Sequence, residues 1–472
     1  MSLMKKGDLI ELTIDDLAFG ARGVARQDDF VWFVDGGIPG QTVQAVVRRK
    51  KKSYGEARVQ EVITPGPDQI EAPCPYFGVC GGCQLQHLKY HAQVEAKTRQ
   101  VEDLMHRIGQ LQDCSVRPVK PAAVQYGYRN KMEFTFSDRR WIIHGLDDDK
   151  PADFALGLHV PGRFDKVVDI DRCLLQSETA NQLLADVKGL LLQTELPPYH
   201  FKNHQGFWRF MVLREGMQTQ DLMMNLITSS QAPENGKPVF DWLMHKMFWK
   251  HLELTTVVHG ISDKKAQAAF SDEEILILGD GKLREKIGSC LFEISTSAFF
   301  QTNTYQTELL FNTILELAKF NGHETVYDLY CGTGAIGIYI ADHVKQVVGI
   351  EVIPSAVEDG RRNVELNNLN NVALVSGDMA DAIHDTDVLA KKYGSADAVI
   401  LDPPRGGTHP NTIKDLLRWQ PPTIIYVSCN PPMLAKDLVQ LQTVYTVESV
   451  QPVDMFPQTK HIEVVCVLRL KN

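Results

Sequence analysis

Apolar and polar residues alternate in short runs over residues 1 to about 63, and glycine turns separate the runs. This period of two is typical of β-strands, and about five strands in about sixty residues predict a small barrel of the oligonucleotide-binding type. A Pro-rich linker and a helical stretch near 90–109 follow. Residues 115 to about 270 then mix strand-like runs with a helix near 177–193.

From about residue 295 the pattern changes to apolar strands that alternate with helical segments. That alternation predicts a parallel sheet covered by helices. Residues 444–469 read as two consecutive strands, a hairpin that closes the edge of the sheet. The predicted fold is therefore multidomain α/β: an N-terminal barrel, a central α+β domain and a C-terminal doubly wound domain.

The 472 residues suggest roughly three domains. No apolar run is long enough for a membrane helix and the N-terminus lacks the apolar core of a signal peptide, so we expect a cytoplasmic protein without a membrane partner. The net charge of −10 argues against a protein that coats nucleic acid by charge alone. One run, 48–52, is wholly basic, and it is either a solvated hairpin tip or a phosphate-contacting loop.

Three of the nine cysteines are clustered, in the order Cys74-PYFGV-Cys80-GG-Cys83. The glycines allow the backbone to curl so that three thiolates converge on one centre. Cys173 is the best candidate for a fourth ligand and Cys114 the second. From spacing, an iron–sulfur cluster is favoured over structural zinc, because the gap of five residues exceeds that of common zinc knuckles. A site without metal is the third alternative.

A glycine-rich loop follows the first strand of the predicted sheet, as Gly332-x-Gly334-x-x-Gly337, and Glu351 lies at the end of the next strand. Such glycines let a ligand approach the backbone, and the carboxylate accepts hydrogen bonds from ribose hydroxyls. The pattern predicts a nucleoside cofactor, either NAD or S-adenosylmethionine; the alternative is a tight turn that only packs.

Three later motifs end strands or begin them. Asp402-Pro-Pro-Arg405 ends the fourth strand, where open α/β sheets bind ligands. Cys429 lies just past the fifth strand, where a cysteine can be exposed and its thiolate stabilised, as a nucleophile requires. The alternative is a buried apolar residue, which is the commoner role of a lone cysteine. Glu463 starts the last strand. Each signal is weak alone, and their joint placement at one sheet end indicates catalysis.

With these motifs the chain resembles the bacterial RNA uracil-5-methyltransferases of the RumA type, which act on 23S ribosomal RNA. The resemblance covers nearly the whole chain: a barrel like a TRAM domain, then CPYFGVCGGCQLQH, FFQTN, DLYCGTG, DPPRGG, SCNP and HIEVV. Arg405 departs from the amino-methylases, which carry an aromatic residue after the prolines.

The resemblance implies the roles of individual residues. Cys429 would be the nucleophile and Glu463 the general base. A [4Fe-4S] cluster would be held by Cys74, Cys80, Cys83 and Cys173. The S-adenosylmethionine site would be lined by Gln301, Tyr330, Glu351, Asp378 and Asp402.

The resemblance also divides the chain. The barrel would span 1–65, the central RNA-binding domain 66–91 with 125–270, and the methyltransferase domain 92–124 with 271–472. The expected reaction is methyl transfer to C5 of an RNA uridine, in 23S ribosomal RNA first and in the T-loop of transfer RNA as the runner-up. No obligate protein partner is implied.

Other functions leave features unexplained. A dinucleotide-dependent iron–sulfur oxidoreductase would use the glycine loop and a metal, but not the Asp402 and Cys429 motifs. A non-catalytic RNA-binding protein would need no Cys429 and Glu463 pair. Methylation of an exocyclic amine would need no thiol nucleophile.

Overall fold

The computed structural model describes residues 4–27, 29–112, 115–146, 148, 150–231, 236–377 and 386–471. The helices within these ranges are α1 (Tyr90–Arg107), α2 (Glu178–Leu191), α3 (Gly236–Lys250), α4 (Thr304–Ala318), α5 (Ala335–Ile340), α6 (Pro354–Leu366), α7 (Thr386–Tyr393), α8 (Pro410–Trp419) and α9 (Pro431–Leu441). None of these helices combines the length and the apolar character that crossing a bilayer requires.

The N-terminal sheet consists of β1 (Leu9–Thr13), β2 (Asp16–Ala18), β3 (Arg22–Gln27), β4 (Phe30–Asp35), β5 (Thr42–Lys50) and β6 (Tyr54–Thr64). The strand order is β1-β5-β6-β4-β3-β2, so the sheet has one strand more than predicted, the short β2. Alternate residues of β1 and β5 face its core, as the period of two requires. Trp32 fills that core, and a Cβ at Gly55 would lie 2.3 Å from its ring, so only glycine fits there.

The central sheet is built from β7 (Lys131–Ser137), β8 (Arg140–Trp141), β9 (Ala155–Val160), β10 (Arg163–Asp169), β11 (Trp208–Glu215), β12 (Leu222–Thr228), β13 (Thr256–Ile261) and β14 (Glu273–Leu278). Their order is β14-β13-β12-β11-β7-β9-β10-β8. Apolar side chains of α2 and α3, such as Leu184 and Phe240, share one core with Trp208 of this sheet. A hairpin of β15 (Lys282–Ile287) and β16 (Cys290–Ser295) follows.

The C-terminal sheet comprises β17 (Thr325–Leu329), β18 (Gln346–Glu351), β19 (Val372–Ser376), β20 (Ala398–Leu401), β21 (Thr423–Ser428), β22 (Tyr445–Val453) and β23 (Glu463–Leu470). The order is β19-β18-β17-β20-β21-β23-β22, with β17 to β21 parallel and β22 and β23 antiparallel. The predicted doubly wound sheet with a terminal hairpin is confirmed. The order in which strands are added reverses between β17 and β20, the position at which such sheets bind ligands.

Both faces of this sheet are covered. One core contains Leu416 of α8 and Leu434 of α9, and it also includes Val101 and Met105 of α1. The opposite core contains Phe311 and Ile314 of α4. Helix α1, far away in sequence, therefore shares an apolar core with the C-terminal sheet and contacts α9.

Candidate active site

The candidate site lies at the carboxyl edge of the C-terminal sheet. Tyr330 directly follows β17, Asp402 follows β20 and Cys429 follows β21. Glu463 is the first residue of β23, which runs antiparallel to β21, so its amino end reaches the same edge. One cavity of about 1550 Å³ is lined by all four of these residues and by Gln301, Glu351 and Arg405.

The glycine loop has the geometry of a ligand cradle. Tyr330, Gly332 and Gly334 all have positive φ angles, of 64°, 54° and 77°, so the chain turns sharply before α5 begins. The Glu351 carboxylate accepts hydrogen bonds from Gly332 N at 3.0 Å and from Ile353 N at 2.9 Å. These bonds fix the carboxylate beside the loop, while each of its oxygens keeps a lone pair for a ribose hydroxyl.

Asp328 is a site residue that the sequence reasoning missed. Its Oδ2 accepts from Gly337 N at 3.2 Å, whereas the buried Oδ1 has no hydrogen-bond partner among the described residues, and Asp328 lines the cavity. Burial, and secondarily Asp402, raise the pKa of Asp328 to about 8. An unsatisfied buried carboxyl is costly unless a ligand completes it, so this group suits a cationic ligand. Its sequence signal was the acidic residue that begins DLYCGTG.

The loops that carry Asp402 and Cys429 are fastened together. Asn430 Nδ2 donates to the Arg405 carbonyl oxygen at 2.8 Å. Asn430 N donates to Ser428 Oγ at 3.1 Å, and Pro431 starts α9, which shapes the turn that presents Cys429. Burial raises the pKa of Asp402 to about 7.

The electrostatics of Cys429 differ from the sequence expectation of a stabilised thiolate. Burial, then Glu463 and Asp402, raise the pKa of the Cys429 thiol to about 12, against a smaller lowering by Arg405. Glu463 is buried, and burial followed by Asp402 raises its pKa well above the ordinary carboxyl value, again opposed by Arg405. The Cys429 thiol and the Glu463 carboxyl thus both lie near Asp402 and near the Arg405 guanidinium, so an added positive charge would favour their ionised forms.

The four predicted cluster cysteines also line this cavity. Burial, together with the smaller effect of the neighbouring cysteines, raises the pKa of Cys80 and of Cys83 to about 12. Burial also raises the pKa of Cys74 and of Cys173. The fold therefore assembles four thiols from two distant segments.

Each of these sulfurs receives hydrogen bonds. The donors are the backbone of Tyr76 and Phe77 to Cys74, Gly82 N to Cys80 at 3.3 Å, the Gln86 side chain to Cys83, and the backbone of Leu175 and Gln176 to Cys173. Such donors stabilise thiolate charge. Within the described ranges, no group of three or more His, Cys, Asp or Glu residues is arranged to hold a metal ion. Asp378 and Cys114 lie outside the described residues.

Part of the cavity wall is basic and aromatic. Arg129, Lys131, Arg163 and Arg172 line the cavity although the chain is acidic overall. Phe164, the second residue of β10, also lines it and is 69% exposed. An exposed ring among cations fits a nucleic acid, because the bases stack and the phosphates pair with the cations.

The basic run of the N-terminal sheet lies at the end of β5 and in the turn to β6. Lys50 Nζ lies 5.3 Å from the Phe30 ring centre, and Lys51 Nζ lies 5.0 Å from that of Tyr54. The run is therefore an exposed hairpin tip. Contact of this tip with phosphate groups stays a prediction.

Comparisons with known proteins give consistent results. A family model described as tRNA (Uracil-5-)-methyltransferase matches residues 268–471, and a TRAM domain model matches residues 4–60. An uncharacterized RNA methyltransferase of Chlorobaculum tepidum is 39% identical, covering 98% of this chain and 96% of the relative. One from Halalkalibacterium halodurans is 36% identical, covering 99% and 98%.

A solved structure is also similar over its length. It is the crystal structure of Pyrococcus abyssi tRNA (uracil-54, C5)-methyltransferase in complex with S-adenosyl-L-homocysteine. The TM-score is 0.74 at 26% identity, and the match covers 97% of this chain and 99% of that one.

Proposed function

Because the chain belongs to the RNA uracil-5-methyltransferase family and is an S-adenosylmethionine-dependent RNA methyltransferase, we propose that it methylates C5 of a uridine in 23S ribosomal RNA. The observation that carries the proposal is the meeting of Cys429 and Glu463 in one cavity with the glycine loop. A thiol and a buried carboxyl are the two groups that methylation at a ring carbon requires, and amine methylation needs no such nucleophile.

The Cys429 thiol loses its proton to solvent, the thiolate Sγ adds to C6 of the uracil, and the electrons of the C5–C6 double bond move onto C5 and O4 as an enolate. S-adenosylmethionine supplies the electrophilic methyl group, and its sulfonium charge is the kind of added cation that favours the Cys429 thiolate. Arg405 lies near both Cys429 and Glu463 and stabilises negative charge there. The S–C6 bond activates C5, which otherwise is a poor nucleophile.

After C5 has accepted the methyl group, its proton must leave. Glu463 takes that proton, the C–H electrons form the C5–C6 double bond, and the Cys429 thiolate departs. Glu463 acts in its ionised form, which Arg405 favours, and its raised pKa makes that carboxylate a stronger base than an exposed glutamate. The reacting atoms are inaccessible in stacked RNA, so the uridine enters flipped out or from a loop.

The cofactor contacts are proposed as follows. Glu351 binds the ribose hydroxyls, and Gln301, Tyr330, Asp378 and Asp402 line the rest of the cofactor pocket. The free Oδ1 of Asp328 faces the same cavity and suits the ammonium group of the methionine part.

We further propose that Cys74, Cys80, Cys83 and Cys173 hold a [4Fe-4S] cluster. All four line one cavity, and each sulfur receives hydrogen bonds that would stabilise a thiolate bound to a cationic centre. Methyl transfer is redox-neutral, so the cluster would take no part in a step. It would fix the shape of the segment 74–85, here called the cysteine loop. Iron and sulfide analysis of anaerobically purified protein tests this, and stoichiometric zinc would replace the proposal by a structural zinc site.

Transfer RNA is the second candidate substrate. The similar Pyrococcus abyssi enzyme is named for uracil 54 of transfer RNA, and its match spans nearly the whole chain. Ribosomal RNA remains our first choice because the combined motifs resemble that branch.

The test uses labelled S-adenosylmethionine with unmodified 23S ribosomal RNA and with unmodified transfer RNA. We expect label in 5-methyluridine of the ribosomal RNA, no turnover by Cys429→Ala, and near-normal turnover by Cys290→Ala, a half-buried cysteine outside the cavity. RNA containing 5-fluorouridine should trap a covalent adduct, since fluorine at C5 cannot leave as a proton. Turnover by Cys429→Ala, or label on an exocyclic nitrogen, would refute the mechanism.

A further inference from the structure

The loop that leads into Glu463 is held from outside its own sheet. It runs from Asp454, just after β22, to Ile462, just before β23. Asp454 is fully buried, and its carboxylate accepts from Lys97 Nζ at 2.7 Å and from Tyr90 Oη at 2.9 Å. Both donors lie on α1, so this helix anchors the first residue of the loop.

The same face of α1 holds the middle of the loop through a pair of amides. Gln93 Nε2 donates to Gln458 Oε1 at 2.9 Å, and Gln458 N donates back to Gln93 Oε1 at 3.2 Å. Both side chains are buried, so each amide lacks water as a substitute partner. Residues 90, 93 and 97 are spaced by three and four, which places them on one side of the helix.

A third contact comes from the cysteine loop. Gln84 N and Leu85 N both donate to the Gln458 carbonyl oxygen, at 3.0 Å each, and Lys460 N donates to Gln84 Oε1 at 3.2 Å. Gln458 has a φ of 67°, a conformation that a glutamine adopts only when its surroundings impose it. Gln84 directly follows Cys83, so a ligand that fixes the position of Cys83 also restrains the loop from Asp454 to Ile462.

We propose that Gln93 and Gln458 are positioning residues for Glu463, and that they make removal of the C5 proton depend on α1 and on the cysteine loop. This inference rests on the proposed role of Glu463 as base. Cys429 lies outside this loop, in the turn between β21 and α9. We therefore expect a loosened loop to change S–C6 bond formation and methyl transfer less than it delays the step in which Glu463 takes the proton and the thiolate departs.

The test follows two labels in one reaction, with tritium at C5 of the RNA uridines and carbon-14 in the transferred methyl. In Gln93→Met we expect proton release to fall about ten- to a hundredfold, because small misplacements of a base have effects of that size. Methyl-labelled protein–RNA adduct that survives denaturant should accumulate. The matched control is Gln100→Met, which removes a buried glutamine of the same helix that bonds Leu17 O of the N-terminal sheet instead.

Further variants separate the possible outcomes. Gln458→Asn keeps the backbone contacts but withdraws the amide from Gln93, and it should accumulate the same adduct even if Gln93→Met does not fold. Cys83→Ala should also accumulate the methyl-labelled adduct. Normal proton release by Cys83→Ala would overturn the link to the cysteine loop. The positioning role would be overturned if tritium release and carbon-14 methyl transfer slowed equally in Gln93→Met and Gln458→Asn. Accumulation of the adduct in Gln100→Met would overturn it as well. Glu463→Gln must itself accumulate adduct; if it does not, the proposed base is wrong rather than its positioning.

Discussion

The buried ion pair between Lys97 and Asp454 gives a stability prediction that can be worked out from the structure. The two side chains are 1% and 0% exposed, and Nζ lies 2.7 Å from Oδ1. Lys97→Met keeps most of the side-chain volume and removes the charge. The Asp454 carboxylate then keeps only the hydrogen bonds from Tyr90 Oη and, at 3.3 Å, from Phe456 N.

Leaving one partner of a buried pair without the other costs about 3–5 kcal/mol of unfolding free energy. For a unit of about 150–250 residues each kcal/mol corresponds to roughly 2–4 °C, so the melting temperature should fall by roughly 6–20 °C. Lys89→Met provides the comparison, because its pair with Asp68 spans 3.4 Å and the two side chains are partly exposed, at 45% and 34%. A pair of that kind contributes about 0–1 kcal/mol.

Differential scanning calorimetry would measure the melting temperatures of both variants. Added S-adenosylhomocysteine would identify the unfolding transition of the methyltransferase unit by raising its melting temperature. The double variant Lys97→Met with Asp454→Asn should recover part of the loss, because no lone charge stays buried. A loss in Lys97→Met no larger than in Lys89→Met would refute the reasoning.

The remaining predictions concern ligands and pH. Asp328→Asn should weaken S-adenosylmethionine binding by about 10- to 150-fold in calorimetric titration, as expected for loss of a charged hydrogen bond; unchanged affinity would remove Asp328 from the site. Because Asp328 and Asp402 have a pKa of about 8 and about 7 in the ligand-free fold, against an ordinary value of 3.8, the folded state holds their protons more tightly. Their contribution to stability is complete below about pH 4, decreases above it and is lost once the pH has risen through 7 to 8. Melting temperatures should therefore fall between about pH 4 and pH 8, and less steeply in Asp328→Asn. Phe164→Ala should raise the KM for RNA about 5- to 150-fold if a base stacks on the ring, whereas Phe270→Ala, also exposed but outside the cavity, should not; equal effects would exclude stacking.

Much of the fold could be read from local patterns. The period-two runs, the strand–helix alternation after residue 295 and the final hairpin all have short-range signals, and the structure contains each of them. The short strand β2 was missed because three residues, Asp16–Ala18, are too few to show a period. The positions of Cys429 just past β21 and Glu463 at the start of β23 were also predicted from sequence.

The sequence by itself determined which residues could do chemistry, since the glycine loop, the cysteine spacing and the Cys429 motif are each contained in a few consecutive residues. Only the tertiary structure decided how these groups act on one another. Burial beside Asp402 and Glu463 sets the high pKa of Cys429, and the antiparallel course of β23 beside β21 brings Glu463 to the same edge. The contact of Gln93 with Gln458 joins residues 365 positions apart. Such pairings depend on how whole elements pack, and no local periodicity encodes them.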